Sequence, residues 1–226
     1  MLYALLTGIL ILAMYVPQMW VRYIMWKHGA TIEQIPGTGG ELATHLIERF
    51  DLKSIGVEQT LPRGDHFDPT AKMVRLSPSN YEGKSLTAIA VATHEVGHAL
   101  QFDRNERVFQ LRAKYLPGAM VLKKVGITIL AGAPLLAFVM PTAIIALIAI
   151  SLLLQLLGAL AYLIVLPEEW DASFNKALPI LAQGDYVPEQ HLGAIRAVLQ
   201  AAALTYFAAA LAETVNIGRW LLVLRR

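Results

Sequence analysis

Two histidines and a glutamate in the middle of the chain have the spacing of a zinc site. His94, Glu95 and His98 form the pattern His-Glu-x-x-His. On an α-helix, residues four apart lie on the same face, so the two imidazoles can bind one metal ion. Glu95 projects roughly 100° around the helix axis from His94, which suits a general base better than a ligand. The pattern therefore predicts a catalytic zinc site.

The residues around the pattern predict the helix that it needs. Ser85 is a suitable N-cap. Apolar or small residues then recur at helical spacing: Leu86, Ile89, Ala90, Thr93, Val96, Gly97 and Leu100. Gly97 leaves space beside the metal, where we expect a substrate backbone to pass. The alternative is a buried helix with two structural histidines.

The composition is that of a membrane protein. Hydrophobic residues make up 56% of the chain and charged residues 16%, and the mean hydropathy is +0.50. A net charge of +2 without a continuous basic stripe argues against a nucleic-acid partner. The chain has no cysteine, so only His, Asp and Glu remain as zinc ligands.

Apolar segments predict where the chain meets the bilayer. Leu2 to about Met25 is long enough to span it, and its positive charges follow the apolar stretch, so we expect an uncleaved anchor. No residue between Lys124 and Glu168 is charged, which predicts a hairpin of two helices. The candidates for the break between them are Pro134, Pro141 and Thr142. The last apolar segment, about Ile195 to Leu224, spans the bilayer, lies on its surface or packs over the enzyme.

These segments predict a mainly α-helical fold with a small β-sheet, a multi-pass membrane protein with a zincin-like domain. The predicted parts are a transmembrane anchor (1–26), the zincin-like segment (27–115), a transmembrane hairpin (116–166), and a third-ligand helix followed by a C-terminal apolar helix (167–226). Basic residues flank the membrane segments on the side of the histidines: Arg22, Lys27, Arg112, Lys114, Lys123, Lys124 and Lys176. By the positive-inside rule, we expect the active site to face the cytoplasm.

An acidic run directly after the hairpin offers a third metal ligand. Because a hairpin returns the chain to the side that it left, Glu168, Glu169 and Asp171 are expected on the same membrane face as the histidines. A catalytic zinc bound by two histidines needs one such carboxylate. The alternative is that the acids begin a solvated helix after Pro167.

The segment before the zinc helix predicts a small soluble fold. Glu41 to Phe50 has the pattern of a short amphipathic helix, and Ser54 to Thr60 that of a strand. His66 to Leu76 predicts a hairpin around Asp68-Pro69. An edge strand here would let an extended peptide substrate add to the sheet. His66 is either an oxyanion donor or an ordinary loop residue.

Several ordered motifs resemble the YugP-like membrane zinc metallopeptidases, a gluzincin-like family distantly similar to HtpX-like membrane proteases. They cover most of the chain: Pro36–Gly39, Asp65–Pro69 leading to Val74–Ser77, Ala92–Gln101, Leu166–Ser173 and Ala201–Tyr206. The resemblance implies a multi-pass bacterial membrane protein with a zinc-dependent endopeptidase site, a polypeptide substrate, and a role in membrane protein quality control among the options. Manganese or cobalt could occupy similar ligands.

The family motif places the third ligand on Glu169, with Glu168 as the substitute. Four residues after this ligand, HtpX-like and CAAX-processing proteases carry an aspartate that orients a zinc-binding histidine. Here that position is Ser173, so either Asp171 or Ser173 must replace the contact.

The resemblance implies peptide hydrolysis with Glu95 moving the proton. His66, Tyr81 and Tyr206 are weaker candidates for stabilising the transition state, and nothing in their spacing selects one. A zinc-binding membrane adaptor or chaperone without proteolytic activity is the non-enzymatic alternative. Structural zinc usually has four protein ligands, and the sequence offers no evident fourth.

Overall fold

A computed structural model describes residues 2–139, 142–205 and 207–209, and these are mainly helical with one small sheet, as predicted. The α-helices are α1 (Leu2–Lys27), α2 (Gly39–Arg49), α3 (Pro78–Tyr81), α4 (Leu86–Asp103), α5 (Arg107–Val139), α6 (Ile144–Trp170), α7 (Leu178–Gln183) and α8 (Leu192–Ala203). A π-helical segment (Asp171–Ala177) joins α6 to α7, and a short 3₁₀ turn (Glu189–His191) precedes α8. The strands are β1 (Gly56–Gln59), β2 (His66–Asp68) and β3 (Met73–Leu76).

The elements group into two units. The hairpin unit consists of the described parts of residues 1–18, 111–166 and 206–226, and the core unit consists of Met19–Gln110 and Pro167–Thr205. Three long helices, α1, α5 and α6, continue from one unit into the other.

Helix α4 lies at the centre of the core unit. It packs against α2, the sheet, the π-helical segment and α8, and every residue from Leu86 to Gln101 is buried. Its start is the predicted one, because the Ser85 hydroxyl accepts a hydrogen bond from the backbone N–H of Ala88. Burial on all sides explains why α4 carries apolar or small residues almost all round.

Strand β3 is the middle strand of the sheet. β2 pairs with it antiparallel, with Phe67 opposite Val74, which confirms the predicted hairpin. β1 pairs with its other edge in parallel, with Val57 opposite Val74. The short helix α2 begins two residues before the predicted start, where Thr38 and Glu41 form a capping box.

In the hairpin unit, α5 and α6 form the predicted pair of apolar helices. The Ser151 hydroxyl donates to the Gly126 carbonyl at 2.6 Å, and a Cβ at Gly158 would lie only 2.6 Å from the Cβ of Lys123. Small residues therefore let the two helices approach closely. Pro134 lies within α5, Thr142 lies in the connection, and Pro141 is outside the described residues. Among the described residues, Arg107–Ala133 and Ile144–Gln183 are long and apolar enough to cross a membrane.

The alternative explanation of Glu168 and Glu169, that they begin a solvated helix after Pro167, does not fit the structure. α6 continues through Pro167 to Trp170, and Glu168 and Glu169 are 0% and 2% exposed. Packing inside the core unit thus overrides the usual helix-breaking effect of proline. Of the predicted C-terminal segment, Leu192–Ala203 forms α8 in the core unit, and Tyr206 and residues 210–226 lie outside the described residues.

Candidate metal centre

The side chains of His94, His98 and Glu169 meet inside the core unit. The two Nε2 atoms are 3.2 Å apart, and Glu169 Oε2 lies 3.2 Å from Nε2 of His94 and 3.4 Å from Nε2 of His98. All three residues are buried. Four zinc ligands at about 2.0–2.1 Å in a tetrahedron are roughly 3.3 Å from one another. The observed separations therefore fit a single zinc ion.

The hydrogen-bond network assigns the proton on His98 to its other ring nitrogen. Gln101 Nε2 donates to the Glu168 carbonyl at 2.9 Å and to Asp171 Oδ2 at 2.8 Å, so the Oε1 of Gln101 is left to accept. His98 Nδ1 lies 2.9 Å from that oxygen. The neutral imidazole thus carries its hydrogen on Nδ1 and a lone pair on Nε2.

The contacts of Ser173 likewise place the hydrogen of the neutral His94 imidazole on Nδ1. The serine hydroxyl donates to the Leu199 carbonyl at 3.2 Å, and its oxygen lies 3.0 Å from His94 Nδ1, so it accepts the Nδ1 hydrogen. Of the two residues considered for this contact, Ser173 rather than Asp171 therefore lies against His94. The serine is in turn fixed by the backbone of α8.

Three acceptors consequently face one another: two imidazole lone pairs and one carboxylate oxygen. Three buried acceptors within 3.4 Å of each other need a shared cation or proton. Without a metal, a proton fulfils this need. Burial, the largest influence, lowers the pKa of His98, but the carboxylates of Glu169 and Glu168 together raise it well above its ordinary value. The electrostatic field that holds this proton also favours a divalent cation.

The π-helical segment and Gly97 bring Glu169 and Ser173 to α4. A Cβ at Gly97 would lie 2.9 Å from the Ala172 carbonyl oxygen and 3.3 Å from its Cα. The backbone at Ala172 thus fills the space beside Gly97, so the expectation that a substrate backbone passes there is wrong. A π-helix widens each turn, and such segments occur often at functional sites.

Glu95 is buried next to the three residues without being one of them. It makes no hydrogen bond or ion pair within the described part of the chain. Burial is the main cause that raises its pKa, the histidines oppose this, and the negative charges of Glu169 and Asp65 add to it. A carboxyl group with a raised pKa is suited to exchanging protons near neutral pH.

Glu168 and Asp171 lie near the Nδ1 side of His98, opposite the Nε2 atom that faces Glu169. Glu168 Oε1 lies 3.4 Å from His98 Nδ1, on the side of the ring away from Glu169. Asp171 accepts from Gln101 and forms an ion pair with Lys176, whose Nζ also lies 2.8 Å from Glu106 Oε2. Both acids therefore act on His98 through its Nδ1 side, Glu168 directly and Asp171 through Gln101.

The structure places the weaker candidates elsewhere or does not describe them. His66 is exposed at the start of β2, with Nδ1 2.6 Å from the Gly64 carbonyl. Tyr81 packs its ring near Gly40 in the hydrophobic core. Tyr206 is outside the described residues.

Sequence reasoning missed Gln101. Its position three residues after His98 puts it beside that ring on the helix surface, which is a usable signal. Asn or Gln at this spacing can orient an imidazole as a carboxylate does.

Comparison with known proteins agrees with this chemistry. The sequence profile of a family described as "Putative neutral zinc metallopeptidase" matches residues 3–225. The chain is 35% identical over 189 residues to "Putative membrane protease YugP" of Bacillus subtilis (strain 168), covering 82% of this chain and 80% of the relative. No solved structure matches.

Proposed function

The chain belongs to this family of neutral zinc metallopeptidases, and on that premise we propose that it is a membrane-bound zinc endopeptidase. In this proposal, His94, His98 and Glu169 hold the metal. Glu95 is the catalytic acid–base, and Ser173 and Gln101 orient the two imidazoles. The substrate is a polypeptide, and membrane or unfolded proteins are the class that we expect.

The observation that carries the proposal is the meeting of three acceptor atoms at zinc-like distances. Their separations are 3.2, 3.2 and 3.4 Å, and both imidazole hydrogens are engaged on the opposite ring nitrogens. Three protein ligands are the number found in catalytic zinc sites, whereas structural sites usually have four. This ligand count favours the enzyme over a zinc-binding adaptor.

Zinc at such a site polarises a peptide carbonyl and makes water a nucleophile at neutral pH. Glu95 would take one proton from the attacking water and deliver it to the leaving amine nitrogen, so that the amide C–N bond breaks while the water oxygen and its second proton remain on the new carboxyl group. The raised pKa of Glu95 fits both halves of this transfer. Ser173 and Gln101 keep both imidazoles in the Nδ1–H form throughout.

Exposed apolar helices support the membrane location. Leu153, Leu157 and Leu160 are exposed on α6, which costs free energy in water but not in lipid. Trp20 and Trp26 are exposed towards the end of α1, and tryptophan is enriched at membrane interfaces. We propose that α1, α5 and α6 cross the bilayer and that the core unit lies on the cytoplasmic side.

The test compares metal content and cleavage of a quenched unfolded protein by the detergent-purified full chain. Glu95→Gln should keep one zinc per chain and lose activity by roughly 100-fold or more, because only proton transfer is removed. Glu169→Ala should lose zinc. Glu48→Gln, on an exposed position of α2, is the matched control and should behave as wild type.

Two outcomes would contradict the proposal. If the wild type binds zinc but cleaves no faster than Glu95→Gln, the proposal of cleavage of unfolded proteins fails, and either a narrowly specific substrate or the zinc-binding adaptor takes its place. If Glu169→Ala retains zinc while Glu168→Gln loses it, the third ligand is Glu168.

A further inference from the structure

A pocket of about 230 Å³ lies in the core unit, apart from the three metal-binding side chains. Its walls come from the ends of α2 and α4, the π-helical segment and α7. Three cationic residues line it, Arg49, Arg104 and Lys176. None of the lining residues, all of them in the described part of the chain, is acidic.

Lys176 is a buried cation with a donor to spare. It is only 8% exposed, and its ammonium group is held by Glu106 and Asp171. An ammonium group has three N–H donors, so these two bonds leave one. Its two acidic neighbours fix its position, and they do not themselves line the pocket.

The two arginines form no ion pair with the residues that the structure describes. Arg49 donates to the hydroxyl of Tyr186 at 2.6 Å and lies over its ring, both of which position the guanidinium without neutralising it. The guanidinium of Arg104 makes no hydrogen bond or ion pair with any residue that the structure describes; the bond of this residue to the Leu100 carbonyl comes from its backbone N–H. Each guanidinium has five N–H donors, so most of these donors remain for a ligand.

We propose that this pocket binds a phosphate group. Guanidinium forks match the oxygen geometry of phosphate, and two arginines and one lysine in the lining of a single pocket suit a group that presents several oxygens. The pocket also has apolar lining residues, Phe50, Leu100 and Ile180, which could pack against an apolar substituent on the phosphate. An anionic phospholipid headgroup and free inorganic phosphate share the chemistry required.

The chain connections bear on the source of the phosphate. Arg104 comes shortly before Arg107, where the first candidate membrane helix begins, and Lys176 comes six residues after the end of α6. Headgroup phosphates lie at the depth where membrane helices enter the bilayer. This step rests on the proposed membrane location, whereas phosphate binding itself does not.

The experiment titrates the detergent-purified full chain with ³¹P-observed probes: inorganic phosphate, short-chain phosphatidylglycerol and short-chain phosphatidylcholine. The test variant is Arg49→Gln/Arg104→Gln. Arg63→Gln/Lys72→Gln removes the same charge from exposed loop positions outside the pocket and is the matched control. Gln183→Glu adds an acid to the pocket wall while keeping both arginines.

We expect the double arginine variant to bind the anionic probe roughly tenfold or more weakly, since a charge-assisted contact is lost at each site. Gln183→Glu should weaken it in the same direction, and the loop control should not. Binding of phosphatidylglycerol alone identifies a lipid site, and binding of inorganic phosphate as well identifies a general phosphate site. The proposal is overturned if neither anionic probe binds, or if both pocket variants bind like the loop control. Zinc content, measured in parallel, reports on the metal centre independently.

Discussion

Replacing Gly97 by alanine tests whether the close approach of α4 to the π-helical segment builds the metal centre. The new Cβ would lie 2.9 Å from the Ala172 carbonyl oxygen and 3.3 and 3.4 Å from its Cα and carbonyl carbon. These are backbone atoms, so they cannot rotate away as a side chain would. The segment itself must move; it carries Ser173 and begins two residues after Glu169.

Gly193→Ala is the matched control, because a Cβ at Gly193 meets no atom within 4 Å. Each substitution should stabilise its helix by up to about 1 kcal/mol, because alanine has a higher helix propensity than glycine. Only Gly97→Ala also suffers overpacking, which costs about 1–3 kcal/mol. The free energy of unfolding should therefore differ by about 1–3 kcal/mol between the two variants. For a chain of this size, that is a difference in Tm of roughly 2–12 °C.

Zinc affinity is the second readout, measured by competition with a chelator. Displacing Ser173 and Glu169 should weaken zinc binding by roughly 10- to 100-fold in Gly97→Ala, as loss of an outer-shell contact does. Gly193→Ala should bind zinc as the wild type does. If the two variants share both Tm and zinc affinity, the helix contact does not position the metal ligands.

Three further changes have defined outcomes. Ser173→Ala removes the acceptor for His94 Nδ1–H and should weaken zinc roughly 10- to 100-fold in chelator competition, with Ser173→Thr restoring most of it. Gln101→Leu removes the acceptor for His98 and should do the same, and unchanged zinc affinity in both would refute the orienting role. The pKa of Asp68 is lowered, chiefly by the backbone N–H of Ala71, so its stabilising effect is complete above the ordinary pKa and is lost as pH falls below it. Melting curves of wild type and Asp68→Asn should accordingly converge as the pH is lowered towards 3, and parallel curves would contradict this.

Local patterns were enough to predict the elements that carry the metal-binding residues. The four-residue spacing of the histidines, the N-cap at Ser85 and the uncharged stretch after Lys124 each depend on neighbours in the chain. The spacing of apolar residues and the presence of capping residues are local features of the sequence, and both indicate where helices form. Helix α4 accordingly begins at the predicted N-cap, and two apolar helices follow it, although α5 begins at Arg107 and α6 ends at Trp170, outside the predicted bounds 116–166.

The surroundings of the metal centre could not be predicted, because they depend on distant contacts. Gln101 is oriented by groups 67 and 70 residues further along the chain. The π-helical segment has no repeating pattern of apolar residues that would predict it. Gly97 allows the backbone of Ala172 to approach α4, and this contact joins residues that are distant in the sequence. Whether Asp171 or Ser173 contacts His94 likewise depends on the fold, and Ser173 is the residue that does so.

The separation of the metal-binding residues along the chain sets an order of events during synthesis. His94 and Glu169 are 75 residues apart, and α5 and most of α6 lie between them. At roughly 5–20 residues per second, the ribosome needs roughly 4–15 s to produce the carboxylate after the first histidine. A growing chain therefore lacks the third side chain of the candidate metal centre until α5 and most of α6 have been synthesised. Under the proposed function, the nascent chain and the proteins that insert its apolar hairpin would be protected from premature cleavage.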